Sequence, residues 1–144
     1  FRDLRIPTDV AVFAPVITDN KLTVYFPHSG KTNHLADLSK SEFKYSPSIT
    51  VGHDFKVYLA GGYLKNGIAT RRVRRVHRPG YSIDEVAPMP IALYGFGFTS
   101  APDLTLYTCG GSQDQSHAVS NCYRYDITAD QWLELPDLPR ALKN

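Results

Sequence analysis

The sequence predicts an all-β fold assembled from a repeated unit of short antiparallel strands. Three observations predict it. Moving the segment from Asp54 onward by 49 positions lays Asp54 on Asp103, Tyr58 on Tyr107, Gly61-Gly62 on Gly110-Gly111, Ala69 on Ala118, Glu85 on Glu134, Pro90 on Pro139 and Leu93 on Leu142. No apolar pattern holds a 3.6-residue period long enough for a helix, whereas short apolar runs alternate with turn residues throughout. Ten Gly and ten Pro are spread along the 144 residues rather than pooled in a linker, as many short strands joined by turns require.

Residues 1–9 read as the tail of a preceding unit. The first whole unit is 10–46: an opening strand at Val10–Ile17, a Thr18-Asp19-Asn20-Lys21 turn, and an apolar strand at Leu22–Phe26. This unit is degenerate. His28-Ser29 stands where the Gly pair would be, and Asp37, Phe43 and Pro47 fall on Asp126, Trp132 and Pro136. The second unit is 47–89, the third 90–139, and 140–144 begins another. In the last two units an apolar run (Phe55–Ala60, Leu104–Cys109) ends in a Gly pair, because a chain turning out of a buried strand needs the backbone angles and close approach that Gly allows. The third unit continues with Tyr125-Asp126, then Trp132, then a Leu-Pro-rich stretch. Pro88, Pro90, Pro136 and Pro139 mark the hand-over between units, since Pro cannot donate to a ladder.

Composition narrows the class further. The formal net charge of +2 points to no particular partner, and the apolar runs are far too short to span a bilayer. A start at Phe1 rather than Met implies a natural N-terminus further upstream. Two cysteines, Cys109 and Cys122, are too few for a secreted disulfide scaffold. They read as small apolar residues of a reducing, cytoplasmic compartment, with a bridge between neighbouring strands of one unit as the alternative.

Apolar strand, double Gly, Tyr-Asp, Trp and a Met-Pro or Leu-Pro segment together resemble the kelch repeat, most clearly at Tyr58–Gly62 with Val86–Pro90, and at Tyr107–Gly111 with Tyr125-Asp126, Trp132 and Leu135–Arg140. The observed spacing agrees with a kelch period of about 50 residues. The resemblance implies four-stranded blades about a central channel, in rings of typically about four to eight blades. About three blades cannot close such a ring. The chain is therefore expected to be part of a longer one, or to pair with a second copy, or to form an open arc held by partners. Trp132, Phe43 and Ile83 are expected between adjacent blades. Tyr58 and Tyr107 are expected in the core with partnered hydroxyls.

Function in such a fold lies on rim loops. By resemblance, the contact face takes Tyr63, Lys65 and Asn66, together with Ser112, Gln113, Asp114, Gln115 and His117, from the loops after the Gly pairs. Lys31, Thr32 and Asn33 are the counterparts in the degenerate unit. Thr50, Ile91, Tyr94 and Arg140 come from the connections between units. Tyr, Arg and amide side chains form good interface contacts. The family's precedent is a scaffold that binds a protein or peptide within a larger assembly, such as a ubiquitin-ligase adaptor or a cytoskeletal protein.

Arg71, Arg72, Arg74, Arg75 and Arg78 form a dense basic patch on one strand. It reads either as a strand of paired and solvated arginines, or as a site for an acidic surface or nucleic-acid phosphates. The near-neutral total charge disfavours general nucleic-acid affinity. The five histidines are scattered, with no HExxH or Cys-x-x-Cys spacing and no P-loop. No cofactor or metal is therefore expected, and no catalytic residue is assigned. The alternative is a propeller enzyme resembling galactose oxidase, with active-site residues partly outside this sequence.

Overall fold

The computed structural model describes residues 14–18, 21–27, 29–37, 43–77 and 82–141. Thirteen strands, and no helix among the described residues, make up the fold. They are β1 (Ala14–Thr18), β2 (Lys21–Phe26), β3 (Lys31–Asp37), β4 (Phe43–Tyr45), β5 (Ser48–Val51), β6 (Val57–Ala60), β7 (Tyr63–Leu64), β8 (Val73–Val76), β9 (Ile83–Val86), β10 (Gly97–Ala101), β11 (Thr105–Cys109), β12 (Cys122–Asp126) and β13 (Gln131–Leu135).

Two antiparallel four-stranded sheets, β5-β6-β8-β9 and β10-β11-β12-β13, follow a three-stranded sheet, β1-β2-β3. The 49-residue shift holds strand for strand. It carries the pair Ala60↔Val73 onto Cys109↔Cys122, and Val76↔Ile83 onto Tyr125↔Trp132. It reaches the backbone angles as well. Phe55 and Leu104, at equivalent hairpin positions, both take positive φ, at 63° and 62°. These are uncommon values for bulky side chains, and they recur because the same hairpin geometry recurs.

Gly61 and Gly111 both serve the close approach of one connecting segment, the stretch between β9 and β10, which follows the first Gly pair and precedes the second. A Cβ on Gly61 would lie 2.2 Å from the Leu93 carbonyl oxygen, and one on Gly111 would lie 2.8 Å from Phe96 Cβ. Gly62 N donates to that same Leu93 oxygen at 3.0 Å. The segment leading into β10 thus lies directly on the Gly pair of the preceding unit.

The core forms between sheets. Leu22, Val24, Val57, Leu59 and Val76 pack the first against the second. Tyr58, Leu106 and Tyr125, joined by Trp132, Val86 and Phe98, pack the second against the third. Trp132 takes the expected place between units, and its Nε1 donates to the Ala87 carbonyl at 2.9 Å. Tyr58 is fully buried with its hydroxyl on Asp54 at 2.6 Å. Tyr107, its counterpart in the third sheet, is only half-buried.

Three expectations need correction. Phe43 is not a Trp132-like member of the first sheet: β4 pairs with β7 of the second unit, and Phe43 is buried against Gly62. Ile83 is 45% exposed, because among the described residues the first sheet has three strands and offers nothing at the outer level for it to meet. The cysteines are bridged rather than reduced. Cys109 and Cys122 are cross-strand partners with Cα atoms 4.2 Å apart, which brings the two sulfurs within bonding reach.

Candidate binding face

The loops after the Gly pairs share one anatomy. Tyr63 bridges Ala69 across the first loop, and Ser112 bridges Ala118 across the second. Each is flanked by a connecting segment: Tyr45 pairs with Tyr63, and Tyr94 exchanges two hydrogen bonds with Ser112, at 3.0 and 2.9 Å. Tyr45 and Tyr94 are therefore equivalent positions, as the 49-residue shift requires.

The rings of Tyr45, Tyr63 and Tyr94 meet at this junction. Tyr45 stacks on Tyr94 with centroids 5.3 Å apart and planes 10° from parallel. Tyr63 meets Tyr94 edge-on at 4.9 Å and lies tilted against Tyr45 at 5.8 Å. Offset-stacked and edge-to-face pairs of this kind suit the ring quadrupoles. Tyr63 is 7% exposed and Tyr45 is 44% exposed, so the cluster has a buried foot and an open top. The Lys44 ammonium lies over the Tyr45 ring, 5.6 Å from its centroid. The Tyr94 hydroxyl donates to the Asp114 carbonyl at 3.1 Å, tying the third unit's loop to the cluster. Burial, then the neighbouring phenols and Asp114, push the Tyr94 hydroxyl pKa upward. It stays a protonated donor.

Asp114 organises its own loop. Its Oδ1 accepts from the backbone N–H groups of Ser116 and His117, both at 2.9 Å, and lies 2.7 Å from His117 Nδ1. These donors, the Ser116 amide foremost, hold the carboxyl down at about 2. The Asp114 charge is thus spent within the loop. Gln113, Gln115 and His117 are exposed around it.

The expected contact residues divide by placement. Lys65, Asn66, Gln113, Gln115, His117 and Arg140 are exposed, and Tyr94 is half-buried in the cluster. Ser112 is fully buried and contributes through its backbone. Lys31, Thr32 and Asn33 are exposed but lie on β3 rather than in a loop. Thr50 lies within β5 opposite Tyr58, and Ile91 packs on the core. Tyr45 is the member of the face that sequence reasoning misses. The signal is present, since Tyr45 stands 49 positions before Tyr94, but aligning the degenerate first unit through Phe43 hides it.

The arginine strand is largely engaged. Arg75 grips Asp84, its cross-strand neighbour, with Nε at 3.2 Å from Oδ1 and Nη2 at 2.7 Å from Oδ2, and His77 Nε2 lies 2.9 Å from the same carboxylate. The Arg75 hydrogen bonds draw the Asp84 pKa downward. Arg72 pairs with Glu85. Arg74 lies over the Phe43 ring at 5.7 Å. Arg71 Nε donates to the Met89 carbonyl at 2.6 Å. Arg78 lies outside the described residues. The reading of paired arginines fits this arrangement better than an open phosphate-binding row. No three His, Cys, Asp or Glu side chains among the described residues converge as metal ligands.

Residues 100–139 match the family model of the kelch motif. That segment is similar to a kelch repeat. The matched segment takes in the last two residues of β10, the whole of β11, β12 and β13, and the Leu-Pro stretch that follows. The sheet of β5, β6, β8 and β9 repeats its register. The fold is accordingly all-β, a partial kelch propeller with antiparallel four-stranded blades. Kelch repeats commonly mediate protein interactions and are mostly non-enzymatic scaffolds. A search of curated proteins finds no match to this chain. No helix among the described residues is long and apolar enough to cross a membrane.

Proposed function

We propose that this chain binds a protein or peptide through the rim formed by its Gly-pair loops, centred on Tyr45, Tyr63 and Tyr94. The observation that carries the reading is that three phenol rings from three separate segments converge there, with Tyr45 44% exposed. Large aromatics that are already ordered bring contact area at small entropic cost, which is how interface anchors work. Lys65, Asn66, Gln113, Gln115, His117 and Arg140 supply the polar surround.

The test is affinity enrichment from cell extract with three baits: the wild type, Tyr45→Ala/Tyr94→Ala, and His53→Ala on the opposite hairpin end. Partners retained by His53→Ala and lost with the double variant support the rim. Partners equally retained by all three exclude it. The bridged cysteines also bear on location. The cytoplasmic expectation rests on reduced thiols, whereas a persistent bridge suits an oxidising compartment.

A further inference from the structure

Where the loop after the first Gly pair enters β8, an open cleft of about 350 Å³ is walled by Val73, Val86 and Pro88. Its polar lining is Thr70, Arg71 and the Arg72–Glu85 pair. That volume stands at the small end of ligand sites, which run from roughly 300 to 1,000 Å³. It suits a single side chain or a small acid rather than a nucleotide.

The charges within it do not cancel. Glu85 is taken up by Arg72. The Arg71 guanidinium has the Met89 carbonyl as its one partner among the described residues, and that bond uses only Nε. The Arg71 carbonyl in turn accepts from Met89 N at 2.9 Å, so side chain and backbone are tied to the same connecting residue. The Nη groups are left as a fixed fork of N–H donors. The Thr70 hydroxyl accepts from Arg72 N at 3.2 Å, which leaves its own proton to give.

We infer that this cleft is a carboxylate site, taking a carboxylate on a short aliphatic stem, with the acid on Arg71 and Thr70 and the stem against Val73, Val86 and Pro88. A planar fork with one side anchored matches the two oxygens of a carboxylate, which a lysine could meet only as a point charge. This deepens the rim reading and rests on it in one respect: a partner lying across that rim would bring the acid as a glutamate side chain.

The experiment is an NMR titration of the isotope-labelled chain, following the Thr70 amide and the Arg71 Nε–H. The probes are the blocked peptide acetyl-Gly-Glu-Gly-amide, its Gln counterpart, and free glutarate. The Glu peptide is expected to shift both signals, and the Gln peptide to bind about tenfold more weakly or worse. Arg71→Gln should weaken the Glu peptide about tenfold or more, Arg71→Lys should recover part of that loss, and Arg72→Gln should have a smaller effect, since its charge is already taken. Arg71→Lys also guards against a loss caused only by loosening the Met89 contact. Glutarate binding as well as the peptide would assign the site to free acids while keeping the carboxylate chemistry. Equal response to the Glu and Gln peptides, or an Arg71→Gln variant binding like the wild type, would overturn the inference. The two readings fail separately. Partner binding that survives Tyr45→Ala/Tyr94→Ala alongside a positive titration sinks only the rim. A negative titration with partner binding lost in that variant sinks only the cleft.

Discussion

Replacing Cys109 and Cys122 together offers a measurement whose size can be worked out beforehand. The bridge spans a sequence separation of 13 and closes the neck of the loop that carries Gln113 to His117. For a ring of about 14 residues, the chain-entropy relation gives roughly 3 kcal/mol of stabilisation at 25 °C, through restriction of the unfolded chain. The second unit supplies the replacement, because the same cross-strand positions there are Ala60 and Val73, both buried. Cys109→Ala/Cys122→Val should therefore keep the packing of the second four-stranded sheet and lose only the bond. Urea unfolding followed by fluorescence of Trp132, the one tryptophan, reads the difference. With a slope of about 2 kcal/mol per molar urea, the midpoint should fall by about 1.5 M. Wild type treated with dithiothreitol should fall toward the variant, and the variant should ignore the reductant. Thiol titration of the unfolded wild type should find no free thiol before reduction. Coincident midpoints for oxidised wild type and variant would refute the reasoning.

Other outcomes follow from the same geometry. Trp132→Ala should cost about 3 kcal/mol, at the low end of large-to-small aromatic losses because the ring is only half-buried, and calorimetry would show it. Gly61→Ala should be more damaging than a turn substitution elsewhere, since its Cβ would strike the Leu93 carbonyl at 2.2 Å and its φ is +67°; a melting temperature close to wild type would contradict that. Asp114, held at about 2 in the fold against an ordinary value of 3.8, should order its loop fully above about pH 4 and release it as pH falls toward 2. The folded value is the depressed one, so the loop's stabilisation is lost on acidification and not on alkalinisation. Amide shifts of Ser116 and His117 across that range are the check, and Asp114→Asn should abolish the transition.

How much of the molecule is legible in its sequence depends on which copy of the repeat is considered. The third unit can be read from Tyr107 to Arg140, and its strands, Gly pair and Trp132 lie where the pattern puts them. The second follows from the shift alone. The first does not, because the repeat's markers are missing there and Phe43 matches Trp132 by residue type only. The backbone instead sends Phe43–Tyr45 across to Tyr63–Leu64, and Tyr45 is hidden with it. At the candidate face, polarity and position identify the exposed loop residues but cannot tell Ser112, which is buried, from Gln113, which is not. The cysteine bridge is open from the strand register. Cysteine count argues the other way, and count says nothing about which two strands become neighbours.

The common anatomy of the two Gly-pair loops has a wider consequence. Tyr63 and Ser112 stand at the same node, each bridged to an Ala six residues on, at Ala69 and Ala118. One bears a phenol ring and the other a small hydroxyl, while the strands on either side keep their register. The segments 63–69 and 112–118 thus sit as separate cassettes on equivalent backbone frames. A lineage could rewrite the chemistry of the rim one cassette at a time without asking the blades to refold, and a chimera exchanging the two would recreate such a step in a single chain of unchanged length.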